Sequence, residues 1–200
     1  MTVDPTLLGD IARFFHLLSV AMGLGAAVMA ETLVLSRLDV PLDERTAGTL
    51  RRLHGVVWAA LGSMWLTGVC LIAVRTGLDP ALVTPKLAAK LGVVLILTAN
   101  AGLMGRLALP ALDASVGLAP IDAPLGRRLA VALVTGVSGA SWCLALMMGA
   151  SRHLAACDWP VFVRWVPAIY LGWVTAALVA ALVLRPAWSL WHGPAVRRHA

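Results

Sequence analysis

Five side chains that can carry chemistry stand inside stretches of otherwise apolar sequence: His16, Glu31, His54, Lys90 and Asn100. An imidazole ligates a metal or passes a proton. A carboxylate or an amine in hydrocarbon needs a counter-charge, a ligand or a proton, so each marks a candidate functional site. His16, Ser19, Gly23 and Ala27 recur at helical intervals, which puts a histidine, a hydroxyl and two small residues on one stripe. Such a stripe lets a neighbouring helix or a flat cofactor come close. The alternative is plain packing, with His16 hydrogen-bonded to a neighbour.

The elements that must position these groups follow from composition. The chain has 200 residues, of which 60% are hydrophobic and 13% charged. That excludes an ordinary soluble domain. The apolar runs are too long and too continuous for barrel strands, so the expected fold is an all-α integral membrane protein, a five-transmembrane-helix bundle in a single domain. The predicted spans are 11–36, 53–75, 86–107, 128–150 and 163–184. The first reads as a retained span rather than a cleaved signal, because the leader before it is acidic. Asp4-Pro5 reads as a helix start. Residues 37–52 and 108–127 read as loops, and Pro167 as a kink or early break. Trp159, Trp165, Trp188 and Trp191 fall near span ends, as interfacial anchors do. Gly136, Gly139 and Gly149, with Thr135, Ser138 and Ser141, predict close packing and interhelical hydroxyl bonds in span 4. Cys70, Cys143 and Cys157 form no CxxC pair and give no disulfide framework.

Positive charge orients the spans. Ten of the sixteen Lys and Arg residues fall on the side of loops 1–2 and 3–4 and the C-terminal tail, Arg185, Arg197 and Arg198 included. This predicts the N-terminus outside and the C-terminus in the cytoplasm of a bacterial inner membrane. The net charge of +6 is thereby explained by topology, and no nucleic-acid partner is expected. Alternating direction then sorts the polar groups into an outer layer of His16, Lys90 and the loop residue His153, and an inner layer of Glu31, His54 and Asn100. His16 and His54 differ in depth by roughly 20 Å, so one iron cannot take both. His16 with Lys90 is the allowed outer combination, around a pocket that includes Ser19, Gly23 and Asn100. Glu31 with His54 is the expected polar pair. Lys86, Lys90, Val93, Leu97, Asn100 and Met104 share one helical face, which should point into the bundle. The alternative for Lys90 is snorkelling to the headgroups. Trp58, Trp65, Trp142 and Trp173 lie deeper, flanking a ring-shaped ligand or filling space.

The segments Phe14-Phe15-His16-Leu17-Leu18 and Lys86-Leu87-Ala88-Ala89-Lys90-Leu91, continuing to Asn100, resemble the HemJ-type protoporphyrinogen oxidases and the related CopD-like membrane domains. The likeness covers spans 1–3. It implies b-type haem held by His16 and Lys90, with His16 as the metal ligand. The chain departs from the HemJ type in lacking the Trp-rich, Gly-containing segment after the histidine and in having a fifth span.

Three functions remain open at this point. The first is a haem b protein with an outer pocket that serves a redox step as a membrane oxidoreductase, alongside a membrane redox partner. The second is copper, ion or small-molecule transport or handling, with His16, Lys90, Glu31 and His54 as a polar path. The third is a structural subunit of a membrane complex or a homo-oligomer. No Gly-rich phosphate loop, HExxH or Ser/His/Asp pattern is present, so classical hydrolase chemistry has no foothold.

Overall fold

In the computed structural model, residues 5–192 are described. Asp4, Arg197 and Arg198 lie outside them, as do the side chains of Arg185, Trp188 and Trp191. Five helices are long and apolar enough to cross a membrane, and they form an all-α bundle. They are α1 (Pro5–Leu35), α2 (Glu44–Thr76), α3 (Pro85–Asp113), α4 (Leu125–Ala150) and α5 (Trp159–His192). The starts of α1, α3 and α5 define the first end of the bundle, and the starts of α2 and α4 the second. Leu17, Leu66, Leu95, Leu146 and Leu171 are all exposed on the isolated chain, as lipid-facing residues are.

Local chemistry sets the helix limits. The Asp43 side chain accepts the backbone N–H of Thr46 at 2.8 Å and caps α2. The Thr46 side chain and backbone, with Arg37 further off, hold the Asp43 carboxyl below the usual carboxylate range. Gly77 closes α2 in the left-handed conformation, φ 59°, where a side chain is strained. Thr84 caps α3, and Pro85 occupies its first turn.

Three sequence expectations are corrected. Most of the predicted 37–52 loop is helix, because the Asp43 cap starts α2 at Glu44. Thr46, Ala47 and Leu50 are buried there. The predicted 108–127 loop is helical to Asp113, reached through a π turn at Met104–Ala108. Pro167 neither ends nor interrupts α5. The ring removes one hydrogen bond, while an apolar surrounding favours keeping the rest of the backbone paired.

The two second-end connections clasp each other. Leu42 N–H donates to Leu118 O at 3.0 Å, Gly117 N–H to Leu42 O at 2.8 Å, and Ile121 N–H to Leu38 O at 2.9 Å. Arg51 pairs with Asp113 beside them. These bonds hold Leu42 and Ile121 as a buried cover over the bundle.

α1 lies mainly along α2, while α4 lies between α3 and α5. The two halves meet at Trp142, buried among Leu61, Met64, Leu97 and Ala101. Its ring occupies the space that a side chain on Gly23 would need: a Cβ there would fall 2.3 Å from Trp142 Cη2. The α4–α5 seam uses Gly136 and Gly139 the same way, against Val174 and the Trp173 ring. Gly149 faces open space and takes no part. Ser141 and Tyr170 join hydroxyls across that seam at 2.8 Å, an interhelical bond of the expected kind. Val93, Leu97 and Asn100 are all buried, so the expected inward face of α3 does point inward.

The Gly23–Trp142 fit gives a direct test. Gly23→Ala forces a buried indole to move, and overpacking of this kind costs about 1–3 kcal/mol. Gly25→Ala, which meets nothing within 4 Å, is the control. Thermal unfolding in detergent should fall clearly for the first and stay near wild type for the second. Equal midpoints would show that the indole does not sit on Gly23.

Candidate functional site

Antiparallel packing of α1 on α2 brings residues of equal depth together. His16 meets Thr67, Ser19 meets Ser63, and Gly23 meets Ala60. The two numbers in each pair keep a nearly constant sum, which is the mark of two antiparallel helices in one register. This pairing was available in the sequence, yet Thr67 and Ser63 carried no signal of their own.

The His16 end of this stripe has a definite chemistry. His16 Nδ1 lies 3.0 Å from Thr67 Oγ1. The Thr67 hydroxyl already donates to Ser63 O at 2.7 Å, so the proton of the shared bond belongs to Nδ1. That leaves the lone pair on Nε2, which has no hydrogen-bond partner among the described residues. The ring lies over Gly68, where an added Cβ would meet Cε1 at 3.5 Å, an ordinary contact. Ser19 Oγ donates to Phe15 O and lies 2.7 Å from Ser63 Oγ. Gly23, the next position of the stripe, is filled by Trp142 rather than left for a ligand.

His16 and Lys90, the two expected outer-layer residues, are each half-buried. No bond joins them. Lys86 Nζ donates to Ser151 O at 2.5 Å, at the C-terminal end of α4. His153 is exposed in the turn that follows.

A cavity of about 310 Å³ lies elsewhere, toward the second end. All five helices and the clasped loops line it, and neither His16, Ser19, Gly23 nor Lys90 does. Its walls are mostly Ala, Leu, Val and Ile. Its polar members include Glu31, His54, Asn100, Thr135 and Ser138, with Arg127 and Arg128 at the second end. The expected Glu31–His54 pair therefore shares a cavity, but no hydrogen bond or ion pair joins the two. The His54 ring is engaged otherwise: Nε2 accepts the Trp58 indole N–H at 3.0 Å. Gly105 makes room for that ring, since a Cβ there would lie 3.2 Å from Nε2. Gly105 belongs to the π turn, an irregularity of the type that recurs at functional sites.

Asn100 is 4% exposed. Its Nδ2 donates to Val134 O at 2.9 Å, which ties α3 to α4 and leaves Oδ1 as an acceptor with no donor among the described residues. Ser138, 8% exposed, makes no hydrogen bond to a described residue, and neither do Thr135 and Glu31. Thr135 and Ser138 therefore do not form the interhelical bonds expected of them. Arg127 donates to Ala114 O at 2.8 Å, and Arg128 to Ala181 O. The four deep tryptophans have structural partners: Trp65 donates to Thr98 Oγ1 at 3.0 Å, Trp58 to His54, Trp173 packs on Gly139 and Trp142 on Gly23. The Trp142 indole N–H is buried without a partner among the described residues.

Compared with protein-family models, with curated proteins and with solved structures, the chain matches none.

The tautomer assigned to His16 is measurable. Nitrogen chemical shifts of the labelled imidazole should show hydrogen on Nδ1 and a bare Nε2. Thr67→Val, which removes the acceptor, should erase the preference. A proton found on Nε2 in the wild type would contradict the geometry.

Proposed function

We propose that this chain is a multi-pass protein of a bacterial inner membrane that binds and handles a small amphipathic molecule in the second-end cavity. The second end is the cytoplasmic one in this reading, supported by the arginines gathered in its loops. One observation carries the proposal: a mostly apolar cavity in which Glu31, Thr135, Ser138 and the Asn100 Oδ1 find no hydrogen-bond partner among the described residues. Mostly apolar walls with a few convergent polar groups are the usual make-up of a small-molecule site. Unpaired polar groups in such surroundings are costly unless a ligand or water answers them.

A second reading places a redox cofactor on the first-end stripe. It rests on the same His16 geometry, because a histidine that ligates a metal usually donates its other ring N–H to an oxygen. His16 would hold haem b through its free Nε2, with Lys90 as the neighbour that the family resemblance implies. Haem would supply electron transfer there, while Thr67 fixes the ring. A redox partner in the membrane belongs to this reading. Copper handling has less to stand on, since among the described residues no three His, Cys, Asp or Glu side chains come together. Soret absorbance of the protein purified from haem-fed cells, lost in His16→Ala, would favour this second site.

The cavity proposal is tested by photolabelling in phosphatidylcholine nanodiscs with a diazirine-bearing decanol. Labelling should saturate and map to the peptides around residues 97–104 and 131–138. Ala30→Phe, which places a ring at the cavity wall, should suppress it at least about fivefold with an unchanged melting temperature. Non-saturable labelling, or labelling indifferent to Ala30→Phe, would overturn the proposal.

A further inference from the structure

The chemistry of the cavity's unanswered groups narrows what it holds. Glu31 as a carboxylate and Asn100 through Oδ1 offer only acceptors. The Thr135 and Ser138 hydroxyls can accept as well as donate. These groups come from α1, α3 and α4, and all line one space. A ligand that satisfies them must bring donors.

The cavity's own cations are already engaged. Arg127 donates to Ala114 O and Arg128 to Ala181 O, both on the backbone. His54 accepts the Trp58 N–H through Nε2, and a ring that does so carries no proton on that nitrogen and is neutral. No ion pair joins Glu31 to any described residue. An ionised Glu31 in this mostly apolar lining therefore has no ion-pair partner among the described residues. A charge held away from water without a partner is strongly unfavourable, and either a proton or a bound cation removes that penalty.

We propose that the second-end cavity takes a lipophilic organic amine, its N–H-bearing ammonium facing Glu31 and Asn100 and its apolar body lying along Val57, Leu97 and Ala101. This rests on the reading of the cavity as a small-molecule site and adds the charge and donor character of the ligand. The size agrees with it: about 310 Å³ is at the lower end of the range for small-molecule pockets. An anionic amphiphile is the competing possibility, because Arg127 and Arg128 also line the space. Glu31's lack of a partner favours the cation.

Three ten-carbon competitors with different heads separate these possibilities: decylamine, decanol and decanoate. Each is titrated against the diazirine-decanol label in phosphatidylcholine nanodiscs at pH 7, on the wild type, Glu31→Gln and Asn100→Leu. Decylamine should compete at least about tenfold better than decanol on the wild type, and decanoate worst. Glu31→Gln should bring decylamine to within about twofold of decanol, a loss of head-group preference that a merely structural role for Glu31 would not produce. If Asn100→Leu fails to fold through loss of its bond to Val134, the head-group order on wild type and Glu31→Gln still decides. Saturable labelling with decanol equal to decylamine, or with decanoate strongest, would overturn the amine assignment and leave the cavity reading standing. No saturable labelling at all would overturn both.

Discussion

Hydrocarbon tolerates no idle polar group, and this bundle is arranged around that constraint. Backbone groups meet it by forming long helices. Side chains meet it by finding partners across helix seams: His16 with Thr67, Ser19 with Ser63, Trp65 with Thr98, Ser141 with Tyr170 and Asn100 with Val134 O. These bonds tie α1 to α2, α2 to α3, α4 to α5 and α3 to α4. The seam between α1 and α4 is apolar instead, with the Trp142 ring lodged on Gly23. Where the constraint is met, the polar groups act as fasteners. The Trp142 indole N–H stays without a partner among the described residues inside the bundle, while the unanswered groups around the second-end cavity point to something the chain alone does not supply.

The clasped loops explain why that cavity exists. Helices packed side by side close their own gaps, but α1–α2 and α3–α5 form two groups that pack more within themselves than against each other. The Leu42–Leu118 and Leu38–Ile121 bonds join the groups again at the second end. The space left between the indole and the clasp is the cavity. The π turn in α3 contributes Met104 and Ala108 to its wall and seats the His54 ring against Gly105.

Much of this was legible in the sequence. The five apolar runs yield the five helices, and the face shared by Val93, Leu97 and Asn100 is the buried face of α3. The helix limits were less legible because Asp43 and the arginines after it look like a loop, while capping chemistry extends the helix out of the apolar region. Pro167 misled for the opposite reason, since one lost hydrogen bond does not end a helix whose other groups have no water to turn to. The candidate residues were found, but their grouping was not. Small residues at Gly23 suggested room for a cofactor, and only the fold shows that Trp142, more than a hundred positions away, fills it. Thr135 and Ser138 read as packing hydroxyls, because no sequence pattern reveals that they line a cavity.

The central claim is that the second-end cavity holds a ligand answering Glu31 and Asn100. An experimental density map of the protein purified in its native lipids, in nanodiscs without added ligand, tests it most directly. The expected result is non-protein density between α1, α3 and α4, with an apolar body and one end within hydrogen-bond distance of the Glu31 carboxylate and Asn100 Oδ1. A cavity collapsed by movement of α1 onto α4, or a Glu31 side chain turned outward to the lipid, would contradict it.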